Sequence, residues 1–132
     1  MLGKILLFFA VLIGLTVMVH NGIQDRSLLA YLDKHPHPKY SPPAHYYIGQ
    51  GLYIFQNLSE AATYFIRVPE RYPASSYADG AYFAYVQCLE DDPSTPRDRL
   101  VIEYQRYLEL YPNGKHAQAV ERRIDAYKSG AH

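Results

Sequence analysis

Hydrophobic positions fall into two regimes along this chain. From Ile5 to Val19 they are continuous, with Gly14 and Thr16 the softest points. From Ala44 onward they return every three or four residues, the period of an amphipathic helix. With Met1–Gly3 added and Lys4 snorkelling, the first regime is about 19 residues, roughly 28 Å of helix, which suffices for a bilayer core. Residues 1–21 are therefore expected to form a transmembrane anchor in contact with lipid. A cleaved secretory signal is the competing reading. Thr16-Val-Met-Val-His-Asn-Gly22 lacks the small-x-small pattern that cleavage needs, so an uncleaved anchor is favoured. The amine and Lys4 lie on one side of the run, which places the amino terminus in the cytoplasm and the body outside it, periplasmic in a Gram-negative cell.

Residues 22–43 read as a short helix followed by a linker. Gly22–Asp33 carries Leu28, Leu29 and Leu32 on one side. Lys34–Pro43 holds Pro36, Pro38, Pro42 and Pro43, and is expected to be an extended, semi-rigid spacer. His35, His37 and His45 are weak candidates for a copper or zinc site. In extended geometry His35 and His37 would lie about 6 Å apart, with an uncertain third ligand. The expectation is a solvated linker with no metal and no other cofactor.

The periodic regime predicts an all-α domain over residues 44–130. Ala44–Gln56 carries Tyr47, Ile48, Gly51, Leu52 and Phe55 at helical spacings. Glu60–Arg71 turns Ala61, Tyr64, Phe65 and Val68 to one face, and Tyr72-Pro73 ends it. Tyr77–Glu90 offers Ala78, Ala81, Tyr82, Tyr85 and Leu89. Asp91–Pro96 forms an enlarged turn, and Arg97–Leu110 presents Leu100, Val101, Tyr104, Tyr107 and Leu108. The last helix, His116–Lys128, has the polar outer face of a cap.

Two of these segments echo one another. Phe65-Ile-Arg67-Val-Pro-Glu70-Arg-Tyr72-Pro73, followed by Ala78, returns 39 residues later as Tyr104-Gln-Arg106-Tyr-Leu-Glu109-Leu-Tyr111-Pro112, followed by Ala117. A fixed-period echo marks stacked helical hairpins, each too thin to bury its apolar sides alone.

Composition narrows the function. The 132 residues have zero net charge, so no global field favours nucleic acid. Fourteen tyrosines stand against no tryptophan, which suits thin layers with wet edges. Cys88 is the lone cysteine and is expected to be buried and inert. Glu60, Glu70 and Glu109 lie on helix surfaces without a matched base or nucleophile, so neither an enzyme nor a small-molecule substrate is expected.

The periodic region resembles tetratricopeptide repeats from about Ala44 to Lys128. Ile48-Gly49 is similar to the family's Leu-Gly pair, and Ala61, Phe65 and Pro73 fall at its small, aromatic and proline positions. His45 stands where the family has tryptophan, and Val68 where it has alanine. The Tyr-Pro-x-x-x-x-Ala junctions resemble those of bacterial envelope proteins, among them the outer-membrane assembly lipoprotein BamD and the Tol–Pal-associated coordinator. The resemblance implies an α-solenoid of about two hairpins plus a capping helix. Its concave groove would be lined by Tyr46, Gln50, Tyr53, Phe83, Gln87 and Glu90. It implies a membrane-anchored adaptor or scaffold that binds other membrane or envelope proteins, as an accessory subunit of a larger complex. A self-assembling structural subunit is the alternative.

Overall fold

In the computed structural model residues 1–130 are described, and among them there are seven α-helices and no strand. They are α1 (Leu2–Gln24), α2 (Ser27–Lys34), α3 (Ser41–Ile54), α4 (Leu58–Arg71), α5 (Ala78–Asp91), α6 (Arg97–Leu110) and α7 (Ala117–Ser129). The chain divides into two units, one ending at Pro36 and the other beginning at His37.

In the first unit α1 is apolar all round. It has 23 residues, its apolar 18-residue stretch has a mean hydropathy of 2.5 and none of the helix is buried, so it is long and apolar enough to cross a membrane. The Thr16 hydroxyl donates to the Leu12 carbonyl at 2.8 Å, which satisfies it inside the helix. The helix runs past residue 21, through Gly22 to Gln24, so the short second helix begins at Ser27 rather than at Gly22. What separates them is Arg26, whose backbone is left-handed at φ 60°. The Asp25 carboxylate accepts the Ser27 N–H at 2.9 Å, and that bond holds its pKa below the usual carboxylate value. Leu29 is the buried residue of α2, which packs against α1.

The extended spacer ends earlier than its prolines suggest. Ser41-Pro42-Pro43 forms the first turn of α3 instead of continuing the linker. First-turn amides have no intrahelical partner, so two prolines there forfeit nothing and bring a helical φ. His37 organises the entry. Its N–H donates to the Ser41 hydroxyl at 2.8 Å, and its Nδ1 accepts the Lys39 and Tyr40 amides at 3.2 and 3.3 Å.

From α3 to α7 each helix packs against the next, and α3 also touches α5. Ala61, Tyr64, Phe65 and Val68 of α4 are buried as their spacing predicts, as are Leu100, Tyr104 and Tyr107 of α6. Two faces differ from the periodicity. On α3, Tyr47 and Phe55 are exposed, while Pro42, His45, Gly49 and Leu52 are buried. The cause is Gly49, which the ring of Phe65 covers so closely that a Cβ there would lie 2.8 Å from it. That contact turns the bare backbone of α3, not its largest side chains, toward α4. On α5, Val86 and Cys88 are buried and Leu89 only half so, because α5 has α4 on one side and α6 on another.

The 39-residue echo is also an echo of backbone geometry. Tyr72 and Tyr111, which end α4 and α6, have φ, ψ of −132°, 57° and −131°, 64°. Each precedes a proline that disfavours helical geometry. The same four hydrogen bonds follow in both places. Tyr72 to Val68, Ser75 to Tyr72, Ala78 to Ser75 and Ala81 to Tyr77 measure 2.7, 3.0, 3.1 and 2.9 Å. Their counterparts, Tyr111 to Tyr107, Gly114 to Tyr111, Ala117 to Gly114 and Val120 to His116, measure 2.8, 3.0, 3.2 and 2.9 Å. Ala78 and Ala117, the small residues after each turn, are both buried.

Two glycines two residues apart on α3, and so on different sides of the helix, are expected to respond oppositely to the same change. Gly49→Ala should destabilise the chain by about 1–3 kcal/mol through overpacking against Phe65. Gly51→Ala, whose Cβ would meet nothing within 4 Å, should stabilise it by about 0.5–1 kcal/mol. Denaturant unfolding of the full chain in detergent, followed by circular dichroism, reads both, and equal effects would refute the α3–α4 packing.

Candidate functional site

The six residues assigned to a groove come from two helices, α3 and α5. Tyr46, Gln50 and Tyr53 lie at three- and four-residue spacings on α3, and Phe83, Gln87 and Glu90 repeat that spacing on α5. The Tyr46 ring packs on Phe65 and on Tyr77 at the start of α5, with centroids 5.9 and 5.5 Å apart. Gly80 lets that ring approach, its Cβ position lying 3.7 Å from the Tyr46 hydroxyl. Gln50 donates its side-chain amide to the Tyr46 hydroxyl at 2.9 Å. At the other end of α3, the Tyr53 hydroxyl donates to the Asp91 carboxylate at the end of α5. Start meets start and end meets end, so α3 and α5 run parallel and side by side.

The same pair of contacts joins α5 to α7. Phe83 stacks on His116, the residue before α7, with centroids 4.0 Å apart and planes 2° from parallel. Glu90 at the far end of α5 pairs with Arg123 of α7. Aromatic contacts therefore link the row α3–α5–α7 at one end, and polar contacts link it at the other. Tyr77 and His116, the aromatic partners, are themselves 39 residues apart.

Several of the six are held by these internal contacts. Glu90 Oε2 accepts the Tyr104 and Tyr127 hydroxyls at 2.7 and 2.9 Å while the carboxylate also pairs with Arg123. Phe83 lies between His116 and Tyr107. Gln50 is exposed, and Gln87 is half-buried like Tyr46, Tyr53 and Phe83. A cleft of about 320 Å³ opens elsewhere, between α4, α5 and the start of α6, lined by Ile66, Arg67, Tyr85, Leu89 and Arg99 among others. None of the six lines it.

Of the three histidines, His35 belongs to the first unit and His37 and His45 to the second. His35 Nδ1 lies 3.0 Å from the Tyr31 carbonyl, and His37 is committed to the start of α3. His45 is fully buried beside Tyr64, with ring centroids 5.9 Å apart. Among the described residues no group of three or more His, Cys, Asp or Glu side chains is placed to hold a metal ion. Cys88 is buried, and desolvation, with Asp91 nearby, pushes its thiol up to about 12. It stays protonated at neutral pH and is a poor nucleophile.

A second network went unread in the sequence. Asp79, in the first turn of α5, accepts the Tyr107 hydroxyl from α6, and its other oxygen accepts the Lys115 amide at 2.9 Å. The His116 amide donates to the Tyr107 oxygen at 3.1 Å. Gly114 sits against both, where any Cβ would strike the Tyr107 hydroxyl and the Asp79 carboxylate. Tyr82 of α5 donates to Glu103 of α6 at 2.7 Å. The one signal available was the abundance of tyrosine, which says nothing about which carboxylate each hydroxyl meets. Compared with protein-family models the chain matches none, and no curated protein matches it either.

These pairings carry a pH signature. The bond to Asp91, then burial, pushes the Tyr53 phenol up to about 12. Tyr82, Tyr104 and Tyr107 are raised as well, chiefly by burial. Unfolded tyrosines titrate near pH 10, so above that the unfolded chain loses protons that the folded chain keeps. Their stabilisation is complete below about pH 9 and is lost as pH rises through the folded values. Melting temperature should stay level to about pH 9 and fall between about 10 and 12. Ionisation of Tyr53, Tyr82, Tyr104 or Tyr107 near pH 10 in a still-folded chain, read residue by residue by NMR, would show that these phenols are not held in this way.

Proposed function

We propose that this chain is a membrane-anchored tetratricopeptide-repeat adaptor, with α1 as a single-pass anchor and α3–α7 as two helical hairpins and a cap in a short solenoid. Its task is to hold another membrane or envelope protein, as an accessory subunit of a larger complex. The observation that carries this is the doubled junction: one set of dihedral angles and hydrogen bonds, used twice, 39 residues apart. Chain-order packing from α3 to α7 and the parallel row α3–α5–α7 support the same arrangement. In such a stack the first helices of successive hairpins line the concave side, where the Tyr46–Gln50–Tyr53 and Phe83–Gln87–Glu90 series stand.

The chemistry of that row favours a peptide or helix from a protein partner. Aromatic rings held rigid by neighbours present area at small entropic cost, and the exposed Gln50 amide supplies hydrogen bonds to a partner's backbone. The apolar α1, with its hydroxyl satisfied internally, supports the anchor, and Lys4 supports an amino terminus in the cytoplasm with the repeats on the extracytoplasmic side.

Affinity capture of the full chain from detergent-solubilised membranes should recover a stoichiometric partner. Gln50→Arg with Gln87→Arg should lower that recovery about tenfold without shifting the melting temperature, because both amides face the groove. A chain that purifies alone, or a partner retained by the double variant, would refute groove binding. Deleting residues 2–21 should move the protein out of the carbonate-resistant membrane fraction, and retention there would refute the anchor.

A further inference from the structure

The break after α1 decides where α2 can go. α1 has 23 residues, about 34 Å of helix, slightly more than the ~30 Å of a bilayer's hydrocarbon core. If α1 spans that core, its end at Gln24 lies at the boundary, and α2 begins close by, at Ser27. Three residues of chain reach at most about 11 Å. Arg26, left-handed at φ 60°, turns the chain off the α1 axis, so α2 does not carry on toward water as an extension of α1. Instead Leu29 is only 5% exposed where α2 packs on α1, and a Cβ at Gly22 would lie 3.2 Å from that of Leu28. The short link and this seat hold α2 at the level where α1 leaves the hydrocarbon.

The composition of α2 suits that level. Its side turned from α1 is Ser27, Ala30, Tyr31 and Lys34, spaced three and four residues apart and all exposed. At about 100° per residue, Leu28 and Leu32 share one flank, Tyr31 adjoins them, and Asp33 falls on the other flank. Local side chains close both ends of the helix. Asp25 accepts the Ser27 N–H at 2.9 Å, and the Tyr31 carbonyl accepts the His35 amide at 3.0 Å. The His35 ring stacks on Tyr31 with centroids 4.3 Å apart, which fixes the direction of the phenol. An apolar flank, an aromatic ring at its edge and a charge opposite are what the boundary between hydrocarbon and water selects.

We propose that α2 lies in the headgroup layer of the bilayer that α1 crosses, with Leu28 and Leu32 toward the acyl chains, Tyr31 among the headgroups and Asp33 toward water. Within α2 only Asp33 and Lys34 are charged, one of each sign, so a neutral phosphatidylcholine surface suffices. Seated there, α2 limits the travel of α1 along its axis. Sliding inward would drag Asp33 and Lys34 into hydrocarbon, and sliding outward would lift Leu28 and Leu32 into water. This placement rests on the anchor proposed above, and the test reads the two separately.

The chain has no tryptophan, so a single introduced indole is its only one. The full chain carrying Tyr31→Trp, or separately Ile13→Trp at the middle of α1, is reconstituted in phosphatidylcholine vesicles brominated either near the headgroup or near the acyl end. At position 31 the shallow bromine should quench about twofold more than the deep one, and at position 13 the order should reverse. Leu28→Glu with Leu32→Glu sets two carboxylates on the flank turned to the acyl chains. It should lower lipid quenching at position 31 about threefold, while quenching at position 13 and flotation with the vesicles stay unchanged. Quenching at position 13 but none at position 31 overturns the headgroup placement and leaves the anchor standing. Stronger quenching at position 31 by the deep bromine, or no effect of the double variant, overturns the placement too. A chain that neither floats nor is quenched at position 13 refutes the anchor, and the placement of α2 falls with it.

Discussion

Tyrosine hydroxyls given to carboxylates on a neighbouring helix are the bonds on which the second unit depends. Tyr53 reaches Asp91, Tyr82 reaches Glu103, Tyr104 and Tyr127 both reach Glu90, and Tyr107 reaches Asp79. Each of these begins or ends on α5. A tyrosine ring fills the space between thin helices, but burial strands its hydroxyl unless an acceptor comes with it. A carboxylate is the strongest acceptor a protein offers, and a charge-assisted bond of this kind contributes about 1.5–3 kcal/mol. Apolar contact alone would let α5 slide or rotate against its neighbours. Five bonds of fixed direction do not.

The α3–α4 pair is closed by a different device. Between α3 and α4 the Phe65 ring lies on bare backbone at Gly49, and His45 is buried beside Tyr64. Close approach is bought here by removing a side chain, and in α5–α6 the gap is filled by large rings tied at their tips. The turn between α5 and α6, residues 92–96, is also longer than that between α3 and α4, residues 55–57.

These constraints connect to the proposed binding row. The contacts that orient Phe83 and Glu90 also tie α5 to α7, so the spacing of the row is fixed by the fold itself. A preorganised surface loses little entropy on binding. Gln50 and Gln87, which the internal network uses least, are the positions where selectivity for one partner would reside. Conversely, Glu90 contributes to the row mainly by holding Tyr104, Tyr127 and Arg123 in place.

The helices, the apolar α1 and the doubled junction were legible in the order of residues alone. Each depends on neighbours within one or two helical turns: a continuous apolar run, a three-to-four-residue period, and a proline that excludes helical geometry from the tyrosine before it. Most of the buried set of α4 and α6 was legible for the same reason. The first turn of α3 was not, because a proline reads as a breaker until one knows that it stands where no amide bond is needed. The inward side of α3 was not legible either. Periodicity ranks faces by side-chain size, and there a glycine outranks Tyr47 and Phe55 through the fit of one ring on another helix. Which carboxylate each tyrosine meets was decided only by tertiary structure, since Asp79 and Tyr107, or Tyr53 and Asp91, stand tens of residues apart. Directional bonds between distant residues have no local pattern to betray them; they exist only once packing has set the helices side by side.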